Sequence, residues 1–254
     1  MKFKYLLLLC LSLVLVLSAC GQSQSNETSK NNKEEITVSA AASLTDVTKE
    51  LEQAFSKTHK DVKVSFNYGG SGALRQQIEK GAPADVFMSA NTKDVDALKE
   101  HDQIKDTYDY AHNKLVLIKQ QGSTIDEVTA LTGDDKLAIG EVESVPAGKY
   151  AKMYLEDHNL WQSVESHVVY AKDVREVLNY VDKGNAQLGF VYETDLYAGG
   201  KEQQGVTKVS DADLKKPITY RMGVVTDKKA AKEWMTFMKS DEAKKILKKY
   251  HFEV

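Results

Sequence analysis

Beyond its twentieth residue the chain has no cysteine; the two it carries are Cys10 and Cys20. An internal disulfide or a cysteine-ligated metal in the body of the protein is therefore excluded. The six histidines, His59, His101, His112, His158, His167 and His251, never fall at i, i+4 and give no metal-ligand pair. No glycine-rich turn carries the lysine of a phosphate-binding P-loop, which argues against nucleotide binding. An excess of positive charge is missing as well. The formal net charge is −3, and −5 once Lys2 and Lys4 are set aside, which argues against a nucleic-acid partner. Fixed-period repeats are also absent.

The chain does have one long apolar run, Tyr5 to Ala19, behind the basic pair Lys2 and Lys4. It is too short to span a bilayer comfortably and reads as a signal peptide over residues 1–19. The run ends in Leu17-Ser18-Ala19-Cys20, the pattern of a lipoprotein box in which Cys20 becomes the acylated first residue. Two membrane signals anchor stably where one does not, so this predicts a protein held on the extracytoplasmic face of the cell membrane without crossing it. Residues 20–35 then form a tether: 21–35, GQSQSNETSKNNKEE, offer almost nothing to bury.

From Ile36 onward, strand and helix patterns alternate. Ile36–Ala40 reads as a strand, followed by a helix from Leu44. Val62, Val64, Phe66 and Tyr68 alternate as a second strand; a helix from about Ala73 ends at Gly81, a plausible C′ glycine. Asp85–Met88 and a helix over Thr92–Glu100 complete a βαβαβα run. Leu115–Lys119 reads as a buried strand near a crossover. A second set follows: strands at Leu137–Gly140, His167–Tyr170 and Leu188–Val191, with helices from Ala147 and Val174. Ile218–Val225 is long enough to return to the first set, and two helices close the chain. The fold class is α/β: two lobes, 36–115 plus 218–254 and 116–217, each a mostly parallel sheet flanked by helices. The site belongs between them, at the C-terminal ends of strands.

Four strand ends pass through small or hydroxylated residues into a helix: Ala40-Ala41-Ala42-Ser43, Gly69-Gly70-Ser71-Gly72, Pro146-Ala147-Gly148 and Ala171-Lys172-Asp173-Val174. Helix starts expose unpaired N–H groups and about +0.5 of partial charge each, which suits an oxyanion. Taken singly, each has a plainer reading. Ser43, with Asp46 three residues on, resembles a capping box. Gly69-Gly70-Ser71-Gly72 could be a tight turn, an anion-cradling nest or a degenerate nucleophile elbow. The last would make Ser71 a hydrolase nucleophile, with His158 or His167 as its base. Asp173 reads as an N-cap, Arg175 as solvated or anion-facing, and Tyr192 as a strand-end tyrosine where ligands gather.

Together, AAASLT (40–45), GAPADVFMSA (81–90), VPAGKYA (145–151), KDVREVL (172–178) and GFVYETD (189–195) resemble the molybdate-binding proteins of bacterial ABC importers. The resemblance implies a two-lobed, hinged periplasmic-binding-protein fold (type II) and no enzymatic activity or cofactor. It implies an oxyanion, molybdate or tungstate, held without a countercharge by Ser43, Ser71, Ala147, Val174 and Tyr192. Its partners would be the permease and ATPase of an importer, the protein acting as a monomer. A receptor for another oxyanion such as sulfate, and the Ser71 hydrolase, are the alternatives.

Overall fold

The computed structural model describes residues 33–254; the expected signal peptide, Cys20 and most of the tether lie outside the described residues. The chain opens with β1 (Glu34–Ala41), a single 3-10 turn (Ala42–Leu44), α1 (Val47–Thr58), β2 (Val62–Gly69), α2 (Ser71–Glu79), β3 (Val86–Ser89) and α3 (Lys93–Glu100). Next come β4 (Thr107–Asn113) and β5 (Leu115–Gln120), with Lys114 alone between them. The second set is β6 (Leu137–Gly140), α4 (Pro146–Asp157), α5 (Trp161–Val164), β7 (Val168–Ala171), α6 (Val174–Asp182) and β8 (Leu188–Tyr192). A short hairpin, β9 (Tyr197–Ala198) and β10 (Lys201–Glu202), leads to β11 (Val206–Asp211) and β12 (Ile218–Val224). Helices α7 (Lys229–Met238) and α8 (Asp241–Lys249) finish the fold.

These strands build two five-stranded sheets, ordered β2-β1-β3-β12-β4 and β11-β5-β8-β6-β7. The two-lobed α/β reading holds. The sheets are mixed, because the strands that cross between lobes enter them antiparallel: β12 against β3 and β4, and β5 against β8 and β11. The pairs β1–β2, β1–β3, β6–β7 and β6–β8 are parallel, an arrangement that crossover connections through helices allow. As expected, the Ile218–Val224 segment returns to the first sheet.

Burial follows the sequence pattern. Helix α6 turns Val174, Val177, Leu178 and Val181 inward, each worth about 1.5–3 kcal/mol when fully buried. Trp234 of α7 packs edge-on against Phe55 and Phe66, with ring centroids 5.2 and 5.9 Å away. Gly81, at φ +85°, ends α2 as the C′ glycine, its N–H bonded to the Ile78 carbonyl at 2.9 Å. In the Gly81–Ala90 segment, the buried Asp85 accepts from the Thr37 N–H (2.8 Å), the Thr226 hydroxyl (2.7 Å) and Lys228 Nζ (3.0 Å). It thereby ties β1 to the segment after β12. Those partners hold its carboxyl below the usual range, although burial opposes them.

Strands β4 and β11 have no counterpart in the sequence reading. Both are edge strands, and their segments TYDYAHN and VTKVSD are half exposed and polar, so they lack the apolar signature of the inner strands. Strand β1 also starts at Glu34, two residues before the apolar pattern does, because Glu34 and Glu35 pair with Val62 and Lys63.

Candidate ligand-binding site

The C-terminal ends of β1, β2 and β8 and the starts of α4 and α6 converge on one small cleft of ≈ 10 Å³. Organic-ligand pockets usually run to about 300–1,000 Å³, so this cleft is far too small for an organic ligand. Ser43, Ser71, Ala147, Val174 and Tyr192 all line it, together with Ala41, Ala42, Gly69, Gly70, Ala90, Val145 and Pro146. No lining residue is charged.

Each wall is a strand end followed by a helix start. Ser43 sits in the 3-10 turn after β1, and its hydroxyl does not cap α1: no side-chain cap bond forms at that helix. The capping-box expectation fails because the turn carries Ser43 inward, where its Oγ lies 2.9 Å from the hydroxyl of Tyr220. Ser71 is the first residue of α2 and fully buried. Its Oγ accepts from the Ala90 N–H at 3.0 Å, so the residue following β3 holds the serine in place. Pro146 opens α4, where a missing N–H costs nothing, and Ala147 follows it as the second residue of the helix. Val174 opens α6, and Asp173 caps it by accepting from the Glu176 N–H at 2.9 Å, as expected.

Tyr192, at the end of β8, is 1% exposed, and its hydroxyl has no hydrogen-bond partner among the described residues. Burial drives its phenol well above the ordinary tyrosine pKa, with neighbouring Tyr220 adding to the effect. The group therefore stays protonated and remains a donor. An unsatisfied buried donor costs about 1–3 kcal/mol, which an acceptor in the cavity would recover.

The two lobes meet around this cavity. The N–H groups of Gly72 and Ala73 donate to the Ser144 carbonyl at 2.9 and 3.4 Å. Ser144 belongs to a loop ordered by the Glu141 carboxylate, which accepts from the N–H groups of Glu143 (2.8 Å) and Ser144 (3.0 Å). A Cβ on Gly70 would lie 2.8 Å from the Ser144 carbonyl and 3.1 Å from the Lys172 carbonyl. The glycines of this turn thus admit the opposite lobe's backbone, a role the sequence reading assigned to ligand approach.

Arg175 neither points into the cavity nor stands in solvent. Its Nη2 is 2.8 Å from Asp46 Oδ2 of the first lobe, and its Nε is 2.9 Å from Asp195 Oδ1 of the second. Asp195 is fully buried and its carboxyl is pushed up to about 6; burial outweighs the lowering by Arg175 and by the Tyr192 N–H. The histidines do not reach Ser71. His158 Nδ1 sits 2.8 Å from the Tyr154 carbonyl and His167 Nδ1 2.9 Å from that of Asp135, and neither ring lines the cavity.

A family model described as bacterial extracellular solute-binding protein matches residues 36–253, nearly the whole described chain. The chain belongs to that family. A Bacillus subtilis relative, 39% identical and covering 92% of each chain, carries the provisional name ABC transporter substrate-binding lipoprotein YvgL. The molybdate-binding protein ModA of Haemophilus influenzae is 36% identical over 85% of this chain and 89% of its own. The solved periplasmic molybdate-binding protein of Azotobacter vinelandii superposes with a TM-score of 0.76 at 25% identity, covering 86% of this chain and 99% of that one.

For a solute-binding protein, a small cleft where two lobes touch is a natural candidate for the ligand position. The sequence reading missed Ala90 and Tyr220. Ala90 is a small residue directly after strand β3, the same signal that marked the four chosen junctions. Tyr220 lies inside β12 with nothing in its neighbours to single it out; only tertiary pairing brings it behind Ser43.

Proposed function

We propose that this protein is an extracytoplasmic receptor that captures molybdate, and tungstate with it, between its lobes and delivers it as a monomer to the permease of an ABC importer driven by an ATPase. The observation that carries the reading is the buried Tyr192 hydroxyl, a protonated donor without an acceptor among the described residues, in a cleft with no charged lining. Ser43, Ser71, Ala147, Val174 and Tyr192 would hold the anion through hydroxyls and first-turn N–H groups. Donors without carboxylates select an anion over a cation. Helices α2, α4 and α6 would contribute at most about +1.5 of partial charge between them, with the 3-10 turn adding less. A protonated phosphate brings a hydrogen where the site already offers hydrogens. Sulfate has the charge but shorter bonds, so it cannot reach every donor at once; molybdate and tungstate are nearly equal in size. The name of the Haemophilus relative and the fold of the Azotobacter protein support the same ligand class.

Membrane attachment would come from acylated Cys20, a reading that the YvgL name supports. Calorimetric titration with molybdate, tungstate, sulfate and phosphate tests the ligand: heat with the first two and none with the last two is expected. Sulfate binding without molybdate binding would make this a receptor for a different oxyanion. Acyl labelling of a Cys20→Ala precursor tests the anchor; retained label would refute it.

A further inference from the structure

Behind the cavity wall, a set of buried polar side chains can have its hydrogens assigned from heavy-atom positions. The Lys114 N–H donates to Asn113 Oδ1 at 2.9 Å, so the other end of that amide is the NH₂. This NH₂ spends its two hydrogens on Thr194 Oγ1 at 2.8 Å and on the Tyr220 hydroxyl at 3.2 Å. Asn113 nitrogen has no lone pair to return to Tyr220. Among the described residues, the one remaining partner within 3.5 Å of the Tyr220 hydroxyl is Ser43 Oγ, at 2.9 Å. Burial keeps Tyr220 protonated, and a buried hydrogen left without an acceptor is strongly disfavoured. The phenol hydrogen therefore goes to Ser43 Oγ. Ser43 then has one hydrogen with no use inside this set, and Ser43 lines the cavity. Ser71 is arranged alike, because its oxygen receives the Ala90 N–H and its own hydrogen is left over.

We infer that Asn113 and Tyr220 are positioning residues that orient Ser43 as a hydrogen donor to the ligand. The inference rests on the oxyanion reading and adds what fixes the direction of one of its donors. Three hydroxyl hydrogens, from Ser43, Ser71 and Tyr192, are left needing acceptors, and a ligand O–H competes with them instead of satisfying them. Neither Asn113 nor Tyr220 lines the chamber, so each acts through Ser43.

A double-mutant cycle reads this directly, with molybdate as the probe in calorimetry on wild type, Ser43→Ala, Tyr220→Phe and the double variant. Ser43→Ala is expected to weaken binding about tenfold or more, and Tyr220→Phe about three- to tenfold. The double variant should bind no more weakly than Ser43→Ala alone. Losses that multiply in the double variant would mean Tyr220 acts by another route and would overturn the inference. An unchanged Tyr220→Phe affinity would overturn it too. If wild type gives no heat with molybdate, the oxyanion reading itself fails, a result separable from either of these. Asn113→Ala provides the same cycle one step further back if Tyr220→Phe is too unstable to titrate.

Discussion

Replacing Gly70 by alanine separates binding from folding in a way this architecture dictates. Gly70 sits at the N-cap of α2 with φ −63° and ψ 134°, a conformation any residue adopts. The added Cβ would meet the Ser144 carbonyl at 2.8 Å and Val145 Cγ2 at 2.9 Å, where ordinary contacts begin at 3.4 Å. Both obstacles belong to the opposite lobe, so relief requires the lobes to part by about 0.6 Å beside the chamber. Overpacking of this kind costs about 1–3 kcal/mol, or about 5- to 150-fold in Kd. The ligand-free protein can relieve the clash by opening. There the substitution only removes unfolded-state freedom, worth about 0.4–1 kcal/mol, or about 1–3 °C in Tm. Calorimetry with molybdate and a thermal melt without it should therefore move in opposite senses. Wild-type affinity in Gly70→Ala, or a clear drop in ligand-free Tm, would refute the idea that this glycine serves lobe contact. Gly72→Ala should behave likewise, since its Cβ would lie 3.0 Å from Ser144 Cα.

Tyr192→Phe removes the unpartnered hydroxyl; molybdate affinity should fall about 10- to 150-fold while ligand-free Tm holds or rises slightly, as paired titration and melting would show. For Asp195, a folded pKa raised from 3.8 to about 6 means the folded state binds the proton more tightly. Its contribution to stability is thus greatest at low pH and declines as pH rises from about 4 to 6, by up to about 3 kcal/mol. Asp195→Asn should gain stability relative to wild type across that window in urea unfolding, and a flat difference would contradict it. Asp46→Asn breaks the ion pair with Arg175, whose side chains are each 20% exposed. Binding should weaken a few-fold at most, and the deficit should shrink in high salt.

Much of this protein is legible in its residues because the relevant physics is local. The alternation of Val62 to Tyr68, the 3.6-residue spacing of Val174 to Val181 and the glycine after α2 each report burial or backbone conformation within one element. The small residues at strand ends marked the chamber wall for the same reason: a close approach needs a small side chain wherever the partner comes from. Edge strands β4 and β11 escaped because a half-solvated strand has no apolar rhythm to detect.

Other outcomes depend on residues far apart in sequence. Ser43 looks like a helix cap until Tyr220, 177 positions away, takes its oxygen. Arg175 looks like a solvated first-turn arginine until Asp46 and Asp195 meet it from two lobes. Asp195 carries no sign in the chain of being fully buried. Sequence alone therefore determined the inner strands and long helices, their two-set order and the four small-residue junctions, because periodicity and side-chain size act within a few residues; the particular wall residues came from the family resemblance. Tertiary structure alone decided what each polar group is bonded to, and hence which hydrogens reach the ligand, because a hydrogen bond depends on the partner that folding delivers.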